Sequence, residues 1–357
     1  MSDTRKQVVL IEGEDAAPEA MRPTVDLIEA LGLDLEWVRP PVGDAGLARH
    51  GSTFPDEARE AIDRSDTTLF GSTSGKSALA LRYLRWGKRT YANVRPARWF
   101  PGCRSPLARP EGVDFVIVRE NLEDLYLGIE GDVDDLATLN LMSQTEQRPL
   151  KELAPGRFAL KLITPMGSER VARFAFELAR RRKAQGHRGR VTCATKHNML
   201  PQTDGLFRKV SEGVAADYPD LEFQSFIVDD FARRLIAAPQ ELDVVLLPNL
   251  YGDLLSDAAA GLIGGLGLAA SGCFGDDYAY FESAHGSAPD IAGQNRINPT
   301  ATIFSAAMML EHLGFDEAAQ RLVHAVERVY AEGRVLTPDQ RGSASTSEFC
   351  EAVGRRL

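Results

Sequence analysis

The chain has 357 residues, is 44% hydrophobic and 26% charged, and carries a formal net charge of −10. That composition is globular, long enough for a large core and two domains, and its acidity argues against non-specific binding to nucleic acid or anionic membranes. The four cysteines, Cys103, Cys193, Cys273 and Cys350, lie far apart without metal spacing, which fits a reducing cytoplasm and no disulfide framework.

Val8–Ile11 is a short apolar run that reads as a first strand, with no signal or transit peptide ahead of it. Residues Glu12–Glu19 then open a helix reaching about Leu31, with Pro18 where a first-turn proline is tolerated. Leu35–Val38 reads as a strand, Pro55–Ala61 as a helix and Thr67–Phe70 as a third strand. Gly71–Ser77 invites a phosphate-loop reading, but only three residues separate its glycines where that motif needs four. From Arg82 to Arg119 there are nine basic residues and only two acids, a local inversion in an acidic chain. Arginine binds carboxylates bidentately, so this stretch fits a small polyanionic ligand.

Val113–Val118 reads as a strand with Arg119–Tyr126 at its C-terminal end, where α/β sites gather. Residues 130–157 are polar and irregular and suit an arm or dimer clasp. Phe158–Ile163 is strand-like, Ser168–Lys183 is an amphipathic helix, and Arg190–Thr195 is a strand ending at Lys196-His197-Asn198. A lysine at such a strand end suits a general base as well as a plain surface residue. Asp204–Ala216 reads as a helix, Phe223–Val228 as a strand, and Asp229 as the N-cap of a helix to Ala237.

Val244–Pro248 is a continuous apolar run of the buried parallel kind, followed by the helical stretch Asn249–Asp257. Helical spacing puts Asp253 and Asp257 on one face, one turn apart. Such a pair suits a hard cation, Mg²⁺ or Mn²⁺, although acids near a helix start are also favoured by the dipole. Ala258–Gly275 is 18 residues without a charge, but its six glycines favour a buried helix and a turn over a membrane span. Gly265–Ala270 matches Gly-x-Gly-x-x-Ala, yet it follows a helix rather than a strand, so a Rossmann loop is rejected. Phe281–Thr300 reads as a turn-rich loop able to bind a cofactor, leading to helices over 301–313, 316–332 and 345–353.

Taken together, Tyr91–Pro96, Val118–Tyr126, Lys196–Asn198, Asn249–Asp257 and His285–Gly293 with Asn298-Pro299-Thr300 resemble the β-decarboxylating dehydrogenases. These are the isocitrate, homoisocitrate, 3-isopropylmalate, tartrate and D-malate group, and the resemblance spans nearly the whole chain. It implies an α/β, non-Rossmann fold of two domains around a cleft. Residues 1–90 plus 263–357 would form a large cofactor-binding domain. Residues 91–262 would form a small domain with the substrate and metal residues and an arm over about 130–158.

By that resemblance Arg85, Arg95 and Arg119 clamp malate carboxylates, Tyr126 is the general acid and Lys196 the general base. Asp229, Asp253 and Asp257 hold the metal, Mg²⁺ or Mn²⁺. Lys196 and Asp229 reach a neighbouring subunit's site, so a homodimer or higher homo-oligomer is implied. Asn198, Glu282, His285, Gly286, Ser287, Ala288, Asp290, Ile291 and Asn298 fall in the cofactor set. The acid at Asp290 favours NAD, because it accepts from a ribose 2′-hydroxyl and repels a 2′-phosphate. Arg82, three residues before Arg85, resembles the homoisocitrate enzymes, where isopropylmalate enzymes carry leucine. Homoisocitrate is therefore favoured, then isocitrate, with tartrate, D-malate, 3-isopropylmalate or a modified malate behind. A non-catalytic regulatory paralogue is the rival class, and retention of the acid, base, arginine and aspartate positions argues against it. The chain departs from the family at Gly13–Glu19, normally Gly-Asp-Gly-Ile-Gly-Pro-Glu. It also departs at Leu122, normally threonine, which removes a hydroxyl expected near the substrate.

Overall fold

A computed structural model describes residues 5–357. Its strands are β1 (Lys6–Ile11), β2 (Leu35–Val38), β3 (Thr67–Phe70), β4 (Ala92–Arg98), β5 (Asp114–Glu120) and β6 (Glu130–Asp132). They continue with β7 (Met142–Ser143), β8 (Arg148–Pro149), β9 (Arg157–Ala159), β10 (Arg190–Thr195), β11 (Glu222–Ile227), β12 (Val244–Leu247), β13 (Ala270–Phe274) and β14 (Ala279–Ser283). Ten of these make one sheet in the order β11-β10-β12-β5-β4-β13-β14-β3-β1-β2. The boundary expected from the resemblance falls between β4 and β13, five strands to a side.

Pairing is parallel except in the middle, where β4 runs antiparallel to both β5 and β13, and β13 antiparallel to β14. Central strands are buried on both faces, so β12, Val-Val-Leu-Leu, is wholly enclosed. Helices cover the sheet. The helix Pro165–Ala184 begins with proline in its first turn and with Thr164 accepting from the Gly167 amide at 3.0 Å. Its inner face buries Val171, Ala172, Ala175, Phe176 and Ala179. Full burial of a phenylalanine such as Phe176 contributes roughly 1.5–3 kcal/mol. At the far end Ser345 and Glu348 form a reciprocal cap for the helix Thr346–Gly354.

Four expectations need correcting. Phe281–Ser283 belongs to β14 rather than a loop, and the glycine-rich stretch ends in β13 rather than a turn. Of Phe158–Ile163 only Phe158 and Ala159 are in a strand, because Lys161 turns inward to two aspartates. Asp229 is not an N-cap: the extended residue before the helix Val228–Ala237 is Ile227, and Asp229 sits in its first turn. Apart from these four, Leu122 packs in a buried cluster with Tyr91, Val118, Ile163 and Val171. The four cysteines are free, as expected, and all four are buried. No helix among the described residues is long and apolar enough to cross a membrane.

Candidate active site

β12 ends at Leu247, and after Pro248 the helix Asn249–Ile263 starts at once. Asn249 Oδ1 accepts from Arg119 Nε at 3.0 Å and Nη2 at 2.6 Å. One turn on, Asp253 pairs with Arg119 Nη1, lies 3.5 Å from Arg95 Nη1, and accepts from Tyr126 Oη at 2.7 Å. A further turn on, Asp257 Oδ1 lies 3.4 Å from Arg95 Nη1, which also donates to Ser256 Oγ at 2.7 Å. Gly252 makes the approach possible, since a Cβ there would stand 2.5 Å from Arg119 Cγ.

Antiparallel pairing of β4 and β5 puts Asn93 opposite Arg119, and Arg95 is two residues along on the same face. Asn93 Oδ1 accepts from Arg95 Nε at 2.8 Å, while its amide donates to Ser271 Oγ at 2.9 Å. Arg119 is 1% exposed. Burial, then the nearby Arg95, lowers its pKa to about 10 against the pull of Asp253. Burial works against Asp253 ionising, yet Arg119 and the Tyr126 hydrogen bond hold it below the usual carboxylate value. Asp257 moves the other way, raised by burial. Tyr126 is raised by burial and by donating to Asp253, so it keeps its proton.

Arg85 lies in a π-helical turn, Tyr83–Gly87, closed by Lys88 N donating to Tyr83 O at 2.9 Å. Its Nε is buried without a protein partner. Burial disfavours its charge, but Tyr280, Glu282 and Cys273 around it raise its pKa. Glu282, expected among cofactor groups, therefore sits beneath the arginines. Arg82 is exposed on the helix Ala78–Arg82 and makes no ion pair among the described residues.

Lys196 follows β10, and its Nζ is 2.6 Å from Asp229 Oδ1. That hydrogen bond lowers the pKa of Asp229. Asn198 is exposed two residues on. Among the described residues no three His, Cys, Asp or Glu side chains converge to hold a metal ion, so one chain does not unite Asp229 with Asp253 and Asp257. The donors that do stand together on the helix are ionisable oxygens beside a bound tyrosine, a set that suits Mg²⁺ or Mn²⁺.

The third cluster joins three loops. Ser287 Oγ donates to Asp15 Oδ2 at 2.6 Å, and the amides of Gly293 and Asn295 donate to Glu19 at 2.5 Å each. Glu14 accepts from Thr73 Oγ1 at 2.5 Å, from the Ser74 amide at 2.9 Å and from Ser77 Oγ. Ala288 is left-handed, Gly286 and Asp290 are exposed, and Ile291 packs on Ala16, Ala20 and Ile297. His285 Nδ1 contacts Gly286 O at 2.8 Å while its Nε2 is buried without a partner. The Asn298 amide donates to Tyr330 Oη at 3.0 Å and Asp339 Oδ2 at 2.9 Å, so its side chain is occupied within the protein.

The structure thus gathers Arg85, Arg95, Arg119, Tyr126, Asp253 and Asp257 in one cluster and pairs Lys196 with Asp229, while Arg82 is exposed without an ion pair among the described residues. Sequence reasoning missed Asn93, Asn249 and Ser256, which aim the arginines; only the position of Asn249 at a helix start hinted at a role.

The profile of the family described as isocitrate/isopropylmalate dehydrogenase matches residues 7–353. A 3-isopropylmalate/3-methylmalate dehydrogenase of Methanocaldococcus jannaschii is 42% identical over 351 residues, covering 98% of each chain. An isocitrate/homoisocitrate dehydrogenase of Thermus thermophilus is also 42% identical, over 357 residues and 98% of each chain. Among solved structures, isocitrate dehydrogenase from Methylococcus capsulatus superposes with a TM-score of 0.85 at 37% identity, covering 98% of this chain and 99% of that one.

Proposed function

The chain belongs to the isocitrate/isopropylmalate dehydrogenase family, and from that premise we propose that it oxidatively decarboxylates a 3-substituted (2R)-malate, with homoisocitrate first and isocitrate second, using NAD and Mg²⁺ or Mn²⁺. One observation carries the reading: each proton-handling residue is bonded to an acid of the proposed metal set, Tyr126 to Asp253 and Lys196 to Asp229.

Asp253 and Asp257, with Asp229 of a second copy, would hold the cation, which when bound supplies Lewis acidity at the hydroxyl and adjacent carboxylate. NAD supplies the hydride acceptor. Arg95 and Arg119, with Arg85 beside them, hold the malate carboxylates in a fixed fork geometry. Lys196 takes the 2-hydroxyl proton, and Tyr126, which stays protonated, delivers one to the carbon that loses CO₂. Two copies complete the site in this reading. Its support is a set of exposed apolar side chains, Ile129, Leu139, Leu141, Met142, Met166 and Ile236, on the arm and neighbouring helices.

The two relatives at equal identity bear different substrate names, so identity does not choose the substrate. Arg82 supports a tricarboxylate, being exposed without an ion-pair partner among the described residues on the helix that leads into Arg85. Asp290, exposed in the third loop, supports NAD. The test is NADH absorbance with homoisocitrate, isocitrate, 3-isopropylmalate, tartrate and D-malate, each with NAD or NADP and Mn²⁺. Tyr126→Phe and Lys196→Met should lower kcat by about 10²–10⁴-fold with the fold intact. Near-wild-type turnover in either variant refutes the assignment, and a preference for NADP refutes the cofactor reading.

A further inference from the structure

Lys161 is a charged residue between two exposed leucines, yet its ammonium points inward and its side chain is 14% exposed. Its Nζ is 2.7 Å from Asp204 Oδ1 and 3.2 Å from Asp124 Oδ1, and both aspartate side chains are completely buried. The ammonium also lies 4.7 Å from the centre of the Tyr251 ring. Two carboxylates with one cation leave a net negative charge out of water. Such an arrangement persists only if its remaining lone pairs are satisfied.

Apart from Asp204 Oδ1, which has no partner among the described residues beyond the Lys161 ammonium, those lone pairs reach three segments. Asp204 Oδ2 accepts from the backbone amide of Lys196 at 2.6 Å. Asp124 Oδ1 accepts from the Leu125 amide at 2.9 Å, one residue before Tyr126. Asp124 Oδ2 accepts from the Leu250 amide at 3.1 Å, in the first turn of the helix that carries Asp253 and Asp257. Asp124 has φ +70°, a backbone state that a non-glycine residue holds only when its surroundings impose it. Its amide donates to Leu162 O at 2.8 Å, beside Lys161.

We propose that Lys161 is a positioning residue that, through Asp204 and Asp124, sets the base segment at Lys196, the acid segment at Tyr126 and the aspartate helix relative to one another. The proposal rests on the roles proposed above for those residues. Lys161 itself touches none of the side chains that meet substrate. A small displacement of reacting groups costs on the order of 10²-fold in rate.

Lys161→Met, assayed by steady-state NADH formation on the best substrate of the panel, should therefore lose about 10–100-fold in kcat. KM should change far less, and both limbs of the pH–kcat profile should shift, because acid and base move together. Lys161→Arg should restore most of the activity. If Lys161→Met does not fold, Lys161→Met/Asp204→Asn removes one negative charge with the cation and carries the same test. Lower stability with wild-type kcat and an unmoved pH profile would overturn the proposal, leaving a structural ion group. Tyr126→Phe and Lys196→Met run alongside: turnover near wild type in those two sinks the functional reading whatever Lys161 does, whereas their inactivity beside an undisturbed Lys161→Met sinks only the positioning role.

Discussion

Two acid-rich regions stand at the C-terminal ends of strands, and their charge is met in opposite ways. After β12, Asp253 and Asp257 face the guanidinium groups of Arg95 and Arg119. After β1, Glu14, Asp15 and Glu19 are met by hydroxyls and backbone amides. In the proposed function the first kind of pairing is exchanged: a carboxylate ligand would take a guanidinium and a cation an aspartate, without stranding a charge. The second kind is not, because neutral donors bend three loops to one shape and leave the formal negative charge in place. Under the proposed function the first region trades partners with substrate and cation, and the second holds a contour suited to a ribose without the extra phosphate.

The sharpest way to break this contrast is Arg119→Met. It removes the nearest cation from Asp253, which keeps Tyr126 and Arg95, leaves Asn249 Oδ1 beside a buried apolar side chain, and should cost about 3 kcal/mol in urea unfolding. Mn²⁺ should recover part of that loss if the aspartates are exchangeable. Glu120, next in β5, is an internal control, since its carboxylate accepts from the Leu122 amide at 2.9 Å and the Glu123 amide at 2.8 Å. Burial raises its pKa to about 7 against those amides. The unfolded chain then ionises first. Folding stability is full below the ordinary glutamate pKa and declines as pH climbs to about 7, by up to roughly 3 kcal/mol. Glu120→Gln should abolish that slope, so its advantage over wild type grows with pH across the interval; parallel curves would show that Glu120 titrates normally. Glu19→Gln weakens two amide-to-carboxylate bonds and should cost about 1–2 kcal/mol, read as a lower Tm, with a raised KM for NAD and unchanged kcat. Mn²⁺ should not rescue it. The smallest effect is expected at Asp15, where φ is +56°. Asp15→Gly should be about 1 kcal/mol more stable than Asp15→Ala, and equal stability would mean that the loop relaxes to another backbone state.

How much of this the sequence disclosed depended on the kind of signal. β12 was legible because a strand buried on both faces is continuously apolar, and Asp253 and Asp257 were legible because helical spacing aligns them. β13 was hidden because Ala-Ser-Gly-Cys-Phe has small side chains and little strand character. Gly272 is needed there, since a Cβ would stand 2.9 Å from Phe281. β4 was hidden by Pro96, which argues against a central strand. Its pairing with β13 covers only Ala92–Val94, so Pro96 lies past that contact. The convergence of Arg85, Arg95 and Arg119 came from resemblance, because separations along a chain say nothing about which side chains meet across a sheet. Lys161 left no pattern at all: its meaning lies in two aspartates 37 and 43 residues away.

The widened turn at Tyr83–Gly87 gives the region around Arg85 an unusual latitude. A π turn accommodates one residue more than an α turn, and each residue added to or taken from a helix swings the downstream side chains by about 100°. Shortening this turn by a single codon would re-aim Arg82 relative to Arg85 while β3 and β4 stayed anchored in the sheet. Under the roles proposed for Arg82 and Arg85, rephasing one short helix would therefore alter which distal group a substrate can present, with the acids and the proton carriers left where they are.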